Sequence, residues 1–394
     1  MFQLAAVQNA LTEMKIDGWL LYDFRGLNVL AKRVVDLPAD QMLSRRWYYF
    51  VPARGEPRKL VHRIEPHALD HLPGPADTYL RWQTLEEKLA ALVRGSKSVA
   101  MEYVPRNANP YVSRVDAGTI ELVRSFGVNV VPSGDLIQAF EATWDDDQWA
   151  MHQEAARHTQ TAFQVVWQFI AERIRGPGSV HELEVQERIL QHFREHKMVC
   201  DHPPICAVGP HSGDPHYEPR PGPEGTIRKG DFVLVDLWAR LDRPRSVYSD
   251  LTWTAFVGPT PSDKHVAVFN VVAAARDAAV ERVRNSFARG EPLQGWQVDR
   301  AARDVIERAG HGEHFIHRTG HSIGQEVHGN GANMDDLETH EERRVLPRTC
   351  FSVEPGIYLP EFGVRSETNV FVDKTGQVHV TGGDVQKQIV TIPV

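Results

Sequence analysis

Cysteine is scarce in this chain: Cys200, Cys206 and Cys350 are the only three in 394 residues. An odd count without CxxC or zinc-finger spacing excludes a disulfide framework and fits a reducing, cytoplasmic setting. Long apolar runs are lacking as well. No stretch approaches the roughly 20 residues of a membrane span, so no membrane association is expected. The opening MFQLAAVQNALTEMK is an amphipathic helix pattern broken by Gln3, Gln8 and Asn9, not a secretion signal, and the mature chain is expected to start at or near Met1. Positive charge is also in deficit. Lys and Arg total 44 against 52 Asp and Glu, a formal charge of −8 with no Lys/Arg block, so nucleic acid, which demands a basic face, is not an expected partner.

Apolar content is ample: hydrophobic residues make up 42% of the chain, enough for sizeable cores, and the length allows two or three domains. Up to about residue 140, strand and helix patterns alternate. A helix from Phe2 to Met14 leads into WLLYDF; WYYFVPA and RKLVH flank a turn at 54–57 and read as a hairpin; LEEKLAALVRG is a helix; SVAMEY, AGTIELVRSFG, VNVVP and DLIQAFEAT continue the alternation. The pattern predicts an α/β domain over 1–145 with a mostly parallel sheet. No motif gathers titratable residues there, so this half reads as a scaffold or oligomerisation domain. Asp145-Asp146-Asp147 marks the boundary and suits the first turn of a long helix from Gln148 to about Ile174. Ser179 and Glu182 predict an S-x-x-E capping box for a second helix, LEVQERILQHF. Two more helices follow, over HVAVFNVVAAARDAAVERVRNSF and VDRAARDVIERAG. Strands, not crossovers, separate them, so residues 146–394 are expected to be α+β, with long helices flanking an antiparallel sheet.

The chemistry gathers in FIHRTGHSIGQEVH (Phe315 to His328) and FSVEPGIYLPEFGVRSETNV (Phe351 to Val370). His317, His321 and His328 lie in the first; Glu354 and Glu367 interrupt strand-like runs in the second. A carboxylate beside Phe351, Ser352 and Val353 stays ionised only if something positive meets it. Upstream, Asp236 interrupts the apolar strand in KGDFVLVDLWARL, and DLTWTAFV opens on Asp250 after the turn residues Arg243-Pro244-Arg245, so the two strands read as a hairpin carrying both carboxylates. Singly, Asp236 reads as the partner of a distant arginine, Asp250 as a turn or cap residue, and His216, on the rigid loop DHPPICAVGPHSGDPHY, as a solvated histidine. Together the two buried anions repel, and without a cation one must take a proton at neutral pH. One imidazole and four carboxylates suit two divalent ions such as Mn²⁺, Co²⁺ or Zn²⁺, whereas a structural zinc prefers a Cys/His tetrahedron. Two such ions about 3.5 to 4 Å apart activate water and polarise a carbonyl, the equipment of hydrolysis.

VDLW, YSDLTWTAF, HRTGHSIGQEVH, SVEPGIY and GVRSETNVFV resemble the corresponding motifs of the creatinase, aminopeptidase P and prolidase peptidases, which have the pita-bread fold and include methionine aminopeptidase. The resemblance covers essentially the whole chain, strongly after about Gln148. It implies a creatinase/prolidase-like N-terminal domain and a pita-bread catalytic domain. It also implies Asp236 on one metal, His321 and Glu354 on the other, and Asp250 and Glu367 bridging. Mn²⁺ is the first expectation, with Co²⁺ or Zn²⁺ as alternatives. Glu354, His216 and His328 would be catalytic, and His216, His317, His328 and Arg365 would contact substrate. The implied activity is an Xaa-Pro dipeptidase acting on small peptides, within a homodimer.

Two other readings stand beside it: aminopeptidase P, cutting longer Xaa-Pro peptides, and an inactive peptidase-fold binding protein, against which all five ligand positions are kept. Creatinase-like hydrolysis without metal and methionine aminopeptidase fit less well. Departures from the family lie at Trp238, where many relatives have glycine, and in a longer two-aspartate hairpin. His340 stands where dipeptide-specific relatives place an arginine that grips the substrate carboxylate. Arg343 and Arg344 nearby read as a solvated pair.

Overall fold

The computed structural model describes residues 2–38, 41 and 43–394, so the expected start at Met1 lies outside the described residues. The chain forms two compact units, Met1–Glu141 and Ala142–Val394.

In the first unit a six-stranded sheet runs in the spatial order Ala76–Tyr79, Arg58–His62, Trp47–Pro52, Gly18–Asp23, Ser98–Met101, Asn129–Pro132. The sheet is mostly parallel, as expected, and the expected hairpin of Trp47–Pro52 with Arg58–His62 forms within it. Three pairings are parallel, but Trp47–Pro52 runs antiparallel to both of its neighbours. The reason is local: among the described residues the connection from Gly18–Asp23 to Trp47–Pro52 holds one six-residue helix, Val29–Val34, and a short turn joins Trp47–Pro52 to Arg58–His62, so neither link is a full helical crossover. Strand periodicity then builds two cores. Trp19, Leu21, Trp47, Tyr49 and Val51 face one side, packed with Val7, Leu11 and Leu30, while Leu20, Tyr22, Tyr48 and Phe50 face the other, packed with Leu85, Leu89, Ile120 and Val123. Burial on both faces explains why these strands read as unbroken apolar runs.

The second unit repeats one order of elements: two helices, then antiparallel strands. Helix Asp146–Arg175 starts with a capping box, in which Asp145 Oδ1 accepts from Gln148 N at 2.8 Å and Gln148 Oε1 accepts from Asp145 N at 3.2 Å. With helix Glu182–Glu195 it packs through Phe163, Val166, Ile170, Val185 and Ile189 onto Val233, Val235, Leu237, Leu251 and Ala255. Those are the odd-numbered residues of the hairpin Phe232–Leu241 and Ser249–Val257, so its even-numbered residues face away from these helices. Helices Asp263–Ala288 and Gly295–Arg308 cover a second sheet in the same way, through Phe351, Val353, Val370 and Val372. This leaves Ser352 and Asn369 on the opposite face.

One expected cap is not formed. His181 N donates to Glu184 Oε2 at 2.9 Å at the start of helix Glu182–Glu195, and Glu182 is fully buried among other partners. The second carboxylate along the helix reaches the cap because the helix begins two residues later than a Ser179 cap requires.

His152 of the first long helix is fully buried, with Nδ1 2.8 Å from Tyr248 O and Nε2 2.6 Å from Thr381 Oγ1. Burial pulls its pKa down to about 4 from 6.5, so the folded state refuses a proton that the unfolded chain accepts. Stability is therefore expected to fall as pH drops from about 6.5 towards 4, by up to about 3 kcal/mol from this group. Urea unfolding across that range should show a shallower pH slope in His152→Gln than in the wild type; equal slopes would contradict this.

Candidate metal centre

Four carboxylates and an imidazole meet between the two sheets of the second unit. Asp236 pairs in register with Thr252 and Asp250 with Trp238, which puts the two aspartates diagonally on the even-numbered face and not directly opposite. Thr252 Oγ1 lies 3.0 Å from Asp236 Oδ1 and 2.8 Å from Glu367 Oε2. The sheets are joined at this level. Asp250 N donates to Asn369 Oδ1 at 3.0 Å, Asn369 Nδ2 donates to Asp250 O at 2.6 Å, and Glu367 N donates to Thr252 O at 3.1 Å. Ser352 fixes the other side. Its Oγ accepts from His321 N at 2.9 Å and lies 3.0 Å from Glu354 Oε1, while its N donates to His321 O at 2.9 Å. His321 Nε2 is 3.4 Å from Asp250 Oδ2 and 3.3 Å from Glu354 Oε1.

Donor atoms of Asp250, His321 and Glu367 all lie within 4.8 Å of one another. Asp236 stands apart from that group, with Oδ2 on Arg365 and Oδ1 on Thr252. Arg365 is thus the distant arginine that a lone Asp236 predicts. Burial, and then the neighbouring carboxylates, push Asp250 and Glu367 well above the usual carboxylate range, and burial raises Glu354 too. Asp250 Oδ1 and Glu367 Oε1 are buried and, among the described residues, accept no hydrogen bond. Such oxygens are costly unless a proton or a cation meets them. Four carboxylates around one guanidinium, with two oxygens bare and one imidazole nitrogen alongside, fit a pair of divalent ions.

The remaining expected residues surround this cluster unevenly. His328 stacks edge-on against His321, ring centroids 4.3 Å apart, and the charge of His321, with burial, lowers its pKa. His216 is exposed on its loop, with its N–H 2.9 Å from Asp214 Oδ1, and near enough for its charge to act on His328. His317 has Nδ1 2.6 Å from Arg318 O and Nε2 2.7 Å from Tyr358 Oη, and burial lowers its pKa to about 3. A neutral ring donating from Nδ1 to a carbonyl must accept at Nε2, so Tyr358 donates to it. Arg365 Nη1 donates in turn to Tyr358 Oη at 3.0 Å, and Arg365 Nε to Thr252 Oγ1 at 3.1 Å. The expected substrate contact Arg365 is therefore buried among protein acceptors.

The second unit matches the model of metallopeptidase family M24 over residues 150–374. The chain belongs to metallopeptidase family M24. Over 286 residues it is 30% identical to the putative dipeptidase YkvY of Bacillus subtilis strain 168, covering 70% of this chain and 72% of the relative. It is 35% identical to the Xaa-Pro dipeptidase of Lactobacillus helveticus over 189 residues, 48% of this chain and 47% of that one. The dipeptidase structure from Pyrococcus horikoshii OT3 superposes with a TM-score of 0.63 at 26% identity, covering 98% of this chain and 99% of that one. The fold extends likewise to dipeptidase PepE from Mycobacterium ulcerans, with a TM-score of 0.70 at 23% identity over 99% and 97% of the two chains. The fold is thus the pita-bread fold of M24 peptidases, with a second, N-terminal unit.

Several residues that shape this M24 site carried no sequence signal. Tyr358 sat in an apolar run, and only the fold brings it to His317 and Arg365. Arg303, buried on helix Gly295–Arg308, pairs with Asp299 and donates to Phe315 O and His317 O, holding the segment that leads to His321. Arg276, buried on helix Asp263–Ala288, donates to Ser366 Oγ at 2.6 Å, beside Glu367. Arg318, next to His317, acts electrostatically on His317, His321 and His328. The expectation for Arg343 is overturned: it is buried, paired with Glu341, and donates to Asn330 O and Gly331 O at 2.8 Å each. A glutamate two residues away and two main-chain carbonyls make a socket that a charge pattern along the chain does not reveal.

Replacing Asp250 or Glu367 by Ala removes an expected bridging ligand, and elemental analysis after dialysis should find both ions lost. An Asp250→Ala protein that kept two ions would sink the ligand assignment.

Proposed function

We propose that this protein is a metal-dependent Xaa-Pro dipeptidase whose ions are held by Asp236, Asp250, His321, Glu354 and Glu367. The observation that carries the reading is the buried carboxylate cluster with two bare oxygens, in a chain whose relatives include proteins named dipeptidase and Xaa-Pro dipeptidase. When bound, the two ions supply Lewis acidity towards the scissile carbonyl and towards an attacking water. We take Mn²⁺ first, with Co²⁺ or Zn²⁺ as alternatives.

The chain's own residues supply the rest. An Xaa-Pro bond is a tertiary amide, so its nitrogen leaves well only once protonated. Glu354 has its carboxyl raised by burial and its Oε1 hydrogen-bonded to Ser352, which suits a group that takes a proton from water and delivers it to that nitrogen. His328, kept neutral beside His321, offers a neutral imidazole to charge developing on the carbonyl oxygen, and His216 approaches from the exposed loop. His317, locked between Arg318 O and Tyr358, presents a neutral ring as one wall for proline. In this arrangement Arg365 serves as buried counter-charge to Asp236 and Glu354.

Substrate length turns on cations at this end of the site. The charge of Arg318 acts on His317, His321 and His328, and we take that positive field as favouring a dipeptide's terminal carboxylate. His340 is turned to Asp336 at 2.6 Å and packs on Trp296, so the position that grips the carboxylate in some relatives is engaged elsewhere. That observation keeps aminopeptidase P as the second reading. The three cysteines are free and two are buried, which supports a reducing compartment, and we place the enzyme in the cytoplasm as a homodimer. No helix among the described residues is long and apolar enough to cross a membrane.

A panel of Xaa-Pro dipeptides, Xaa-Pro-Xaa tripeptides and Met-peptides, assayed with Mn²⁺, Co²⁺ or Zn²⁺, should show metal-dependent release of proline from Ala-Pro. Cleavage of Ala-Pro-Ala with Ala-Pro intact would overturn the dipeptidase reading in favour of aminopeptidase P. No cleavage with any of the three metals would overturn the enzyme reading. Arg318→Ala should raise KM for Ala-Pro more than for Ala-Pro-Ala, and His328→Ala should keep its metal while turnover falls on the order of 100-fold.

A further inference from the structure

Glu182 is fully buried at the start of helix Glu182–Glu195, and among the described residues no lysine or arginine pairs with it. Four donors from the loop downstream converge on its carboxylate: Val208 N at 2.7 Å, His211 Nδ1 at 3.0 Å, Tyr217 Oη at 2.6 Å, and Gly225 N. Gly225 is required by contact, since a Cβ there would stand 2.8 Å from Glu182 Cδ and 2.4 Å from Val208 Cγ1. His211 and Tyr217 also stack on one another, with centroids 4.3 Å apart and planes 25° from parallel. A buried carboxylate thus gathers both ends and the middle of residues 208–225 at one point.

His216 lies within that loop, directly before Tyr217. It is exposed, and the loop, not packing of its own ring, determines where it stands. The far side of the loop is tied down separately, by Ser212 Oγ accepting from Gly363 N at 2.9 Å and donating to Gly209 O at 2.7 Å. We propose that Glu182 is a positioning residue for His216: through His211, Tyr217 and the two main-chain donors it holds the loop in the one arrangement that presents His216 to substrate. This rests on the reading of His216 as a substrate contact.

The test is a double-mutant cycle on the metal-loaded enzyme with Ala-Pro, paired with NMR of the His216 ring in metal-free protein. Glu182→Gln keeps the shape but turns an NH₂ towards donors, and should lower kcat/KM on the order of 100-fold, as misplacing a contact by about an ångström does. In a His216→Ala background the same substitution should cost less than about twofold, because the group it positions is gone. The His216 ring signals should shift and broaden in Glu182→Gln. Losses that multiply in the double variant, or ring signals unchanged from wild type, would overturn the proposal. If Glu182→Gln fails to fold, Tyr217→Phe, which removes one hydroxyl and leaves the stack, is put through the same cycle with the same criteria. Should His216→Ala prove fully active, the reading of His216 fails, and the NMR comparison alone decides whether Glu182 orders its loop.

Discussion

Like charges crowded into a space largely shielded from solvent are the constraint on which the second unit depends. Asp236, Asp250, Glu354 and Glu367 repel one another there, and Arg365 offsets only part of that charge. A protein does not keep such a cluster by local preference. It is held because the surrounding hydrogen bonds and helix cores over-determine the backbone that carries it.

The framework does this by using the two faces of each sheet differently. On the hairpin, odd-numbered side chains pack into the helices Asp146–Arg175 and Glu182–Glu195, and even-numbered ones build the site. On the second sheet, Phe351, Val353, Val370 and Val372 pack into the other helix pair, while Ser352 and Asn369 tie His321, Glu354 and Asp250 in place. Buried ionic groups from the helices reach the connecting segments as well. Arg303 holds the approach to His321, Arg276 reaches Ser366, and Glu182 gathers the His216 loop. Each is a charge placed in a core to fix a segment that has little regular structure of its own.

The ligand types were legible because they were anomalies. Asp236 and the two glutamates interrupt apolar runs, and Asp250 opens one, so a single pass along the chain finds them. The long helices were legible from their period, and the acidic run at 145–147 does lie at the start of the first one, where Asp145 is its cap. Other features were not. The antiparallel pairing of Gly18–Asp23 with Trp47–Pro52 was hidden because a strand buried on both faces reads the same whether its neighbours run parallel or antiparallel. Glu182 matched a capping pattern, but the carboxylate went to a loop that follows it by some thirty residues, an interaction with no trace in local spacing. Arg343 looked solvated because a charged pair on a polar stretch reads as exposed, and the main-chain carbonyls that complete its socket beside Glu341 leave no mark in the sequence.

What the amino-acid sequence determined by itself was the inventory and its order: an α/β half, an α+β half, and five oxygen and nitrogen donors in apolar settings. Residue type and periodicity act locally, so these survive in one dimension. Only the tertiary structure decided which of those donors stand together, Asp250, His321 and Glu367 within reach of one another and Asp236 turned to Arg365. It also decided that Tyr358 joins His317 to Arg365. Those outcomes depend on the register between strands far apart in the chain, which is fixed by packing two helix pairs on two sheets and is written in no single segment.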